Sequence, residues 1–150
     1  MPPVSDLTDH TGYWMRMVSN AVSQEFARKV AEEGVTVAEW AFMRALYDVE
    51  AMAPSALAER MGMTKGAISK LADRLLSKGL IDRADNTKDK RAHSLSLTSA
   101  GRAKLPVLAR LADQNDADYF GLLTSQEHEM LDRILRALAE KRGLKTAPTD

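Results

Sequence analysis

Residues 54–98 read PSALAERMGMTKGAISKLADRLLSKGLIDRADNTKDKRAHSLSLT. Few folds accommodate this order of signals. Pro54 suits the first position of a short helix, 54–61, whose Leu57, Ala58 and Met61 face inward, and Gly62 supplies the exit turn. Thr64 caps a longer helix ending at Lys78-Gly79. Ile68, Leu71, Leu75 and Leu76 form its buried face; Lys65, Gly66, Ser69, Lys70, Asp73, Arg74 and Ser77 form its open face. Leu80–Arg83 and the alternating His93–Leu97 predict two short strands, joined by the polar, basic loop 84–92.

The flanks predict helices. Tyr13, Trp14, Met17, Val18, Val22, Phe26 and Val30 recur at helical spacing over 10–33, after a loose arm at 1–9, and Gly34 ends the run. Thr36 and Glu39 make a capping box for a second helix with Val35 and Trp40 at staple positions, and Trp40, Met43, Leu46 and Tyr47 as its apolar stripe. Thr98 caps a fifth helix to about Gly121, which Pro106 should kink. Thr124 and Glu127 box a sixth, to about Arg142, lined by Met130, Leu131, Ile134, Leu135 and Leu138. The expected fold is mainly α with a small β-hairpin wing: a winged helix-turn-helix plus dimerisation helices from both termini. Its parts are an N-terminal arm and dimerisation helix (1–35), a winged DNA-binding lobe (36–98) and C-terminal dimerisation helices (99–150).

Net charge is zero, but its distribution is not uniform. Residues 60–91 carry nine basic and four acidic side chains, while residues 1–59 are net −5. Such an island is a local electrostatic footprint of the kind a nucleic-acid reader presents. A major groove about 12 Å wide admits one helix, provided its front is low and polar. Gly66 and Ala67 keep that front low. Thr64 and Ser69 can donate to phosphates or base edges, Lys65 and Lys70 can reach phosphates or guanine, and Arg74 can grip the backbone. In the loop, Lys88, Lys90 and Arg91 suit a minor groove, and Asp89 can orient Arg91.

With LAERMGMTKGAISKLADRLLSKGLI at 57–81 and DKRAHSLSLTSAG at 89–101, nearly the whole chain resembles the MarR family of bacterial transcriptional regulators. Asp89, Arg91, Leu95, Leu97, Thr98 and Gly101 fit the family pattern; Ala53 departs from it, standing where a capping hydroxyl is usual. The resemblance implies that the fourth helix is the recognition helix and Arg91 the minor-groove arginine. It implies a homodimer through the first, fifth and sixth helices, bound to a pseudo-palindromic site on double-stranded DNA, with repression by occlusion. The two terminal helices independently ask for a partner, since a domain centred on 36–97 cannot bury all their apolar faces. The resemblance also implies a small aromatic or phenolic effector, for which Tyr13, Trp14, Met17, Trp40, Met43 and Arg44, with Arg16 as an alternative cation, are candidates; core or dimer packing is the competing reading of the same residues.

Other functions find less support. With no cysteine, disulfides, thiol chemistry and thiolate metal sites are excluded. His10, His93 and His128 share no ligand spacing, so no metal and no cofactor are expected. No Ser lies near a plausible His/Asp pair and no phosphate-binding glycine loop appears, so no catalytic residue is expected. Neither a leader sequence nor a membrane span is read, so a cytoplasmic protein is expected. The rival function is a winged-helix adaptor that docks a protein without reading DNA.

Overall fold

The structure is a computed structural model, and it describes residues 3–85 and 93–149. A single 3-10 turn, Leu7–Asp9, orders the arm expected to be loose; Asp6 donates its backbone N–H to Asp9 (2.9 Å), and Trp14 Nε1 donates to the Thr8 carbonyl (3.0 Å). Six helices follow among the described residues: α1 (Thr11–Glu32), α2 (Val37–Tyr47), α3 (Pro54–Met61), α4 (Lys65–Ser77), α5 (Ser99–Phe120) and α6 (Ser125–Lys141). Between α4 and α5 lies a hairpin of β1 (Ile81–Asp85) and β2 (His93–Leu97).

Local chemistry sets the helix starts. The Thr36, Thr64, Thr98 and Thr124 hydroxyls each accept an N–H three residues on, from Glu39, Ala67, Gly101 and Glu127. The Glu39 and Glu127 side chains reciprocate, completing both expected capping boxes. Glu127 is held as the anion, its pKa lowered by the Thr124 backbone N–H and then by the Thr124 side chain. α3 starts on Ala53 with no side-chain cap, helped by Pro54, and stops at Gly62 (φ 64°). α5 runs on through Pro106.

The core lies within the lobe. Phe42, Met43 and Leu46 of α2, Leu57 of α3, and Ile68, Leu71 and Leu75 of α4 close on Ile81, Leu95 and Leu97 of the hairpin, with Val30 of α1 and Leu105 and Leu108 of α5 sealing the back. The α2 stripe is therefore turned from the expected one: Phe42 joins it, and Tyr47 is exposed. The strands pair antiparallel from Ile81↔Leu97 to Asp85↔His93. Met52, from the α2–α3 connection, adds a short third rung to Leu95 through two backbone hydrogen bonds, 2.9 and 2.8 Å.

α5 enters the lobe by a close approach. A Cβ on Gly101 would clash with the Leu80 carbonyl oxygen, a contact that only glycine avoids. Outside the lobe, α1 and α5 are joined by polar contacts. Lys29 bonds Asp118 (2.8 Å) and the buried Asn115 (3.2 Å), and Asn115 donates to the Val22 carbonyl (3.1 Å).

Candidate nucleic-acid interface

The candidate recognition surface is the outer face of α4. Its inner side chains are locked in the core, so the helix cannot roll without exposing Ile68, Leu71 and Leu75. Thr64, Lys65, Gly66, Ser69, Lys70 and Arg74 stand exposed and Ala67 half-buried, all along the front and at the N-terminal cap. These six exposed residues and Ala67 are the described part of the expected DNA-contact set. Lys88, Asp89, Lys90 and Arg91 lie outside the described residues.

Gly66 departs from ordinary helix chemistry. Its φ is not positive, and a Cβ built on it meets nothing within 4 Å. Glycine inside a helix costs about 0.8–1.0 kcal/mol relative to alanine. The fold itself therefore gives no reason for a missing side chain here.

The hairpin supplies residues that the sequence reading left out. Arg83 and His93 line a small cleft between α4 and the wing, about 70 Å³, together with Pro54, Ser69, Asp73 and Leu95. His93 Nδ1 lies 2.8 Å from Asp85 Oδ1, joining the last described rung of the hairpin. Arg83 was visible only as one base in the island; its place beside Ser69 follows from strand register.

One member of the basic island is not free. Lys78 turns inward, donating to the Gly34 carbonyl (2.8 Å) and to Glu39 Oε1 (2.9 Å). Its ammonium is also 2.9 Å from Glu39 Oε2, but without hydrogen-bond geometry, so that oxygen is held by charge alone. Glu39 is completely buried. Burial pushes its carboxyl up; the Lys78 hydrogen bond, the Thr36 backbone N–H and the Lys78 charge outweigh this and hold it below its ordinary value.

The effector candidates fall into two groups. Tyr13 and Trp14 meet edge-on at 5.5 Å near the start of α1, with Met17 exposed one turn on. Trp40 instead packs edge-on against Phe26 (6.3 Å). Tyr13 and Phe26 are thirteen residues apart on one helix, about 20 Å along its axis. One protomer therefore does not bring the six residues together. Met43 is wholly buried in the core, and Arg44 pairs with Asp48 (2.8 Å) and lies over the Tyr47 ring. Among the described residues, no cluster of three His, Cys, Asp or Glu could hold a metal ion, and no helix is long and apolar enough to cross a membrane.

Comparison with known proteins agrees with this geometry. The family model described as MarR family matches residues 33–92, from the end of α1 through α2, α3, α4 and β1 up to the start of β2. The HTH-type transcriptional repressor MdtR of Bacillus subtilis (strain 168) is 33% identical over 119 residues, covering 79% of this chain and 77% of that protein. The chain belongs to the MarR family. This MarR-family regulator is also 28% identical to the transcriptional regulator HosA of Escherichia coli over 104 residues, 69% of this chain and 77% of HosA. Among solved structures, YusO of Bacillus subtilis superposes with a TM-score of 0.73 at 29% identity, covering 93% of this chain and 99% of that one. The fold is shared as well with an E. coli MarR mutant complexed with operator DNA (TM-score 0.76, 24% identity, 89% and 99% covered). The regulator is thus a mainly helical winged helix-turn-helix protein that acts in transcription.

Proposed function

We propose that this regulator binds a pseudo-palindromic operator as a homodimer, represses by occluding a promoter, and is released by a small aromatic acid. The observation that carries the DNA reading is the front of α4: three exposed cations, two hydroxyls and an unfilled space at Gly66, mounted on a helix that the core prevents from rolling. Lys65, beside the positive N-terminal end of the helix dipole, is the natural phosphate grip. Ser69 and Lys70 read base edges, and Arg74 holds the backbone. By family resemblance, Arg91 enters the minor groove with Asp89 orienting it and Lys88 and Lys90 beside it.

The dimer reading rests on what the protomer leaves uncovered. Met130, Ile134, Leu135 and Leu138 of α6 are each 38–53% exposed, and Trp14, Met15, Met17 and Val18 of α1 45–50%. A second copy suits these faces. α6 is acidic in its first half (Glu127, Glu129, Asp132) and mostly basic after it (Arg133, Arg136, Lys141), so a twofold antiparallel pairing sets opposite charges together. Such a dimer offers two recognition helices to half-sites about 34 Å apart. The same arrangement is what could bring the Tyr13–Trp14–Met17 group of one copy to Trp40 and Arg44 of the other, and there we place the aromatic effector.

The test is fluorescence anisotropy on the DNA upstream of the regulator's own gene and on duplexes selected from a random pool, against a scrambled duplex, across a salt series. Tight, selective binding that falls steeply with salt is expected. Lys65→Ala should weaken binding about tenfold and flatten the log–log salt slope by about 2, one phosphate per protomer. Arg91→Ala should lower affinity without unfolding the dimer. Weak, unselective binding at every salt, even after selection, would instead support the adaptor function. Salicylate added to the bound complex should release DNA and quench tryptophan fluorescence; Trp40→Ala should blunt both.

A further inference from the structure

The elbow between α1 and α2 is gripped from two sides. Lys78, at the C-terminal end of the recognition helix, donates to the Gly34 carbonyl, and Lys104 of α5 donates to the Glu33 carbonyl (2.7 Å). Both cations sit at the negative end of the α1 dipole, where late carbonyls lack intrahelical partners. The Lys78 grip is anchored further by Glu39, whose carboxylate is wholly buried and also accepts the Thr36 N–H that begins α2 (2.9 Å). One lysine thus joins three elements: the helix that reads DNA, the end of the long helix with an uncovered apolar face, and the start of α2.

The chemistry of this joint is directional. A buried carboxylate is stable only with its partner in place, so the ammonium cannot wander without stranding the charge. Apolar contacts along α4 fix which face looks outward, but burial is itself non-directional and opposes sliding along the helix axis less specifically. A charge-assisted contact at the helix end resists such sliding, because both its distance and its angle matter. Half-site spacing in a dimeric reader depends on where each recognition helix ends relative to the dimer arm, and the elbow is that junction.

We propose that Lys78 and Glu39 are positioning residues for DNA recognition: the pair fixes the end of α4 to the α1–α2 elbow and so sets the half-site spacing the dimer accepts. The proposal rests on the dimeric DNA-binding reading above. It assigns Lys78 no contact with DNA, although charge counting alone would place it among the phosphate-binding bases.

The test uses the duplex selected by the wild-type protein, versions with the half-sites one base pair closer or further apart, and an isolated half-site. In the double variant Glu39→Leu/Lys78→Met, an apolar pair replaces the buried carboxylate and its partly exposed ammonium partner, an exchange that often preserves stability. It should bind the isolated half-site within about twofold of wild type but lose about tenfold of the preference for native spacing. Glu39→Gln retains an acceptor for Thr36 and weakens only the Lys78 contact, so it should lose about threefold, and Lys78→Arg should restore most of the preference. Thermal melts and sedimentation confirm that each variant is folded and dimeric; if the double variant is not, Glu39→Gln decides. Wild-type spacing preference in a folded Glu39→Leu/Lys78→Met dimer, or in Glu39→Gln, overturns the proposal. So does an equal loss at the isolated half-site, which would make Lys78 a DNA contact. If the wild type shows no spacing preference, the dimer reading fails with it; if it does and the variants match it, only the positioning role fails.

Discussion

The lobe and the terminal helices bury their apolar residues to very different degrees. In the lobe, Phe42, Leu46, Leu57, Ile68, Leu75 and Leu95 are all fully or almost fully enclosed by elements of the same chain. On α6, no residue is buried, and the apolar row from Met130 to Leu138 is open. α1 shows both regimes along one helix: Val30 is sealed into the lobe, Val22 and Phe26 are half-buried, and Trp14, Met17 and Val18 are open. The lobe is closed by elements of the same chain, whereas the far end of α1 and all of α6 leave apolar side chains uncovered. On the proposed reading, DNA recognition and assembly draw on separate sets of apolar residues, joined at the α1–α2 elbow.

The contrast can be broken at either end. The largest effect is expected in the lobe: Leu75→Ala should cost about 2–5 kcal/mol, read by denaturant unfolding, and the loss should hardly depend on protein concentration. If the melt barely moves, α4 is not held as tightly as its burial implies. At the other end, Ile134→Asp with Leu138→Asp should leave a folded lobe but a monomer by sedimentation. Operator affinity should then fall about 100-fold, because two linked contacts become one. A dimer that survives both aspartates would mean that α6 is not the seam.

Gly66→Ala sharpens the comparison, since it sets stability against function at one exposed position. With open space for the methyl and an ordinary helical φ, it should raise stability by about 0.5–1 kcal/mol. Operator affinity should nonetheless drop severalfold in the anisotropy assay. A stabilised variant that binds DNA as well as wild type would mean that the space at Gly66 is not used.

The smallest effect concerns acid. The Glu39 pKa is lowered on folding, so its contribution is present above the ordinary value of 4.5 and is lost as pH falls through the folded-state value. Glu39→Gln should therefore melt below wild type at pH 7, and the gap should close as pH drops below about 4.5. A gap unchanged by pH would show that the carboxylate's charge is not what holds Lys78.

Much of this was legible in the sequence because it is local. The caps at Thr36, Thr64, Thr98 and Thr124 act over three residues, so helix starts could be placed from the chain alone. The strand His93–Leu97 announced itself by alternation, and the front of α4 by helical period. The turn of the α2 stripe toward Phe42 was not legible, because periodicity gives relative spacing and not which flank the neighbours cover. Nor was the Met52–Leu95 rung, which needs two distant backbones to meet. The sequence likewise offered six effector candidates, and helix length separates them into two groups within a protomer.

By itself the sequence determined the order and ends of the helices, the hairpin, and the polar, low front of the reading helix, since these depend on near neighbours and side-chain period. Only the tertiary structure decided which charges are free. Glu39 reads as an ordinary capping residue and Lys78 as one base among nine, yet thirty-nine residues apart they become an ion pair whose carboxylate is buried. Desolvation makes a carboxylate choose a partner, and which partner is within reach depends on how the helices pack, something no local pattern encodes.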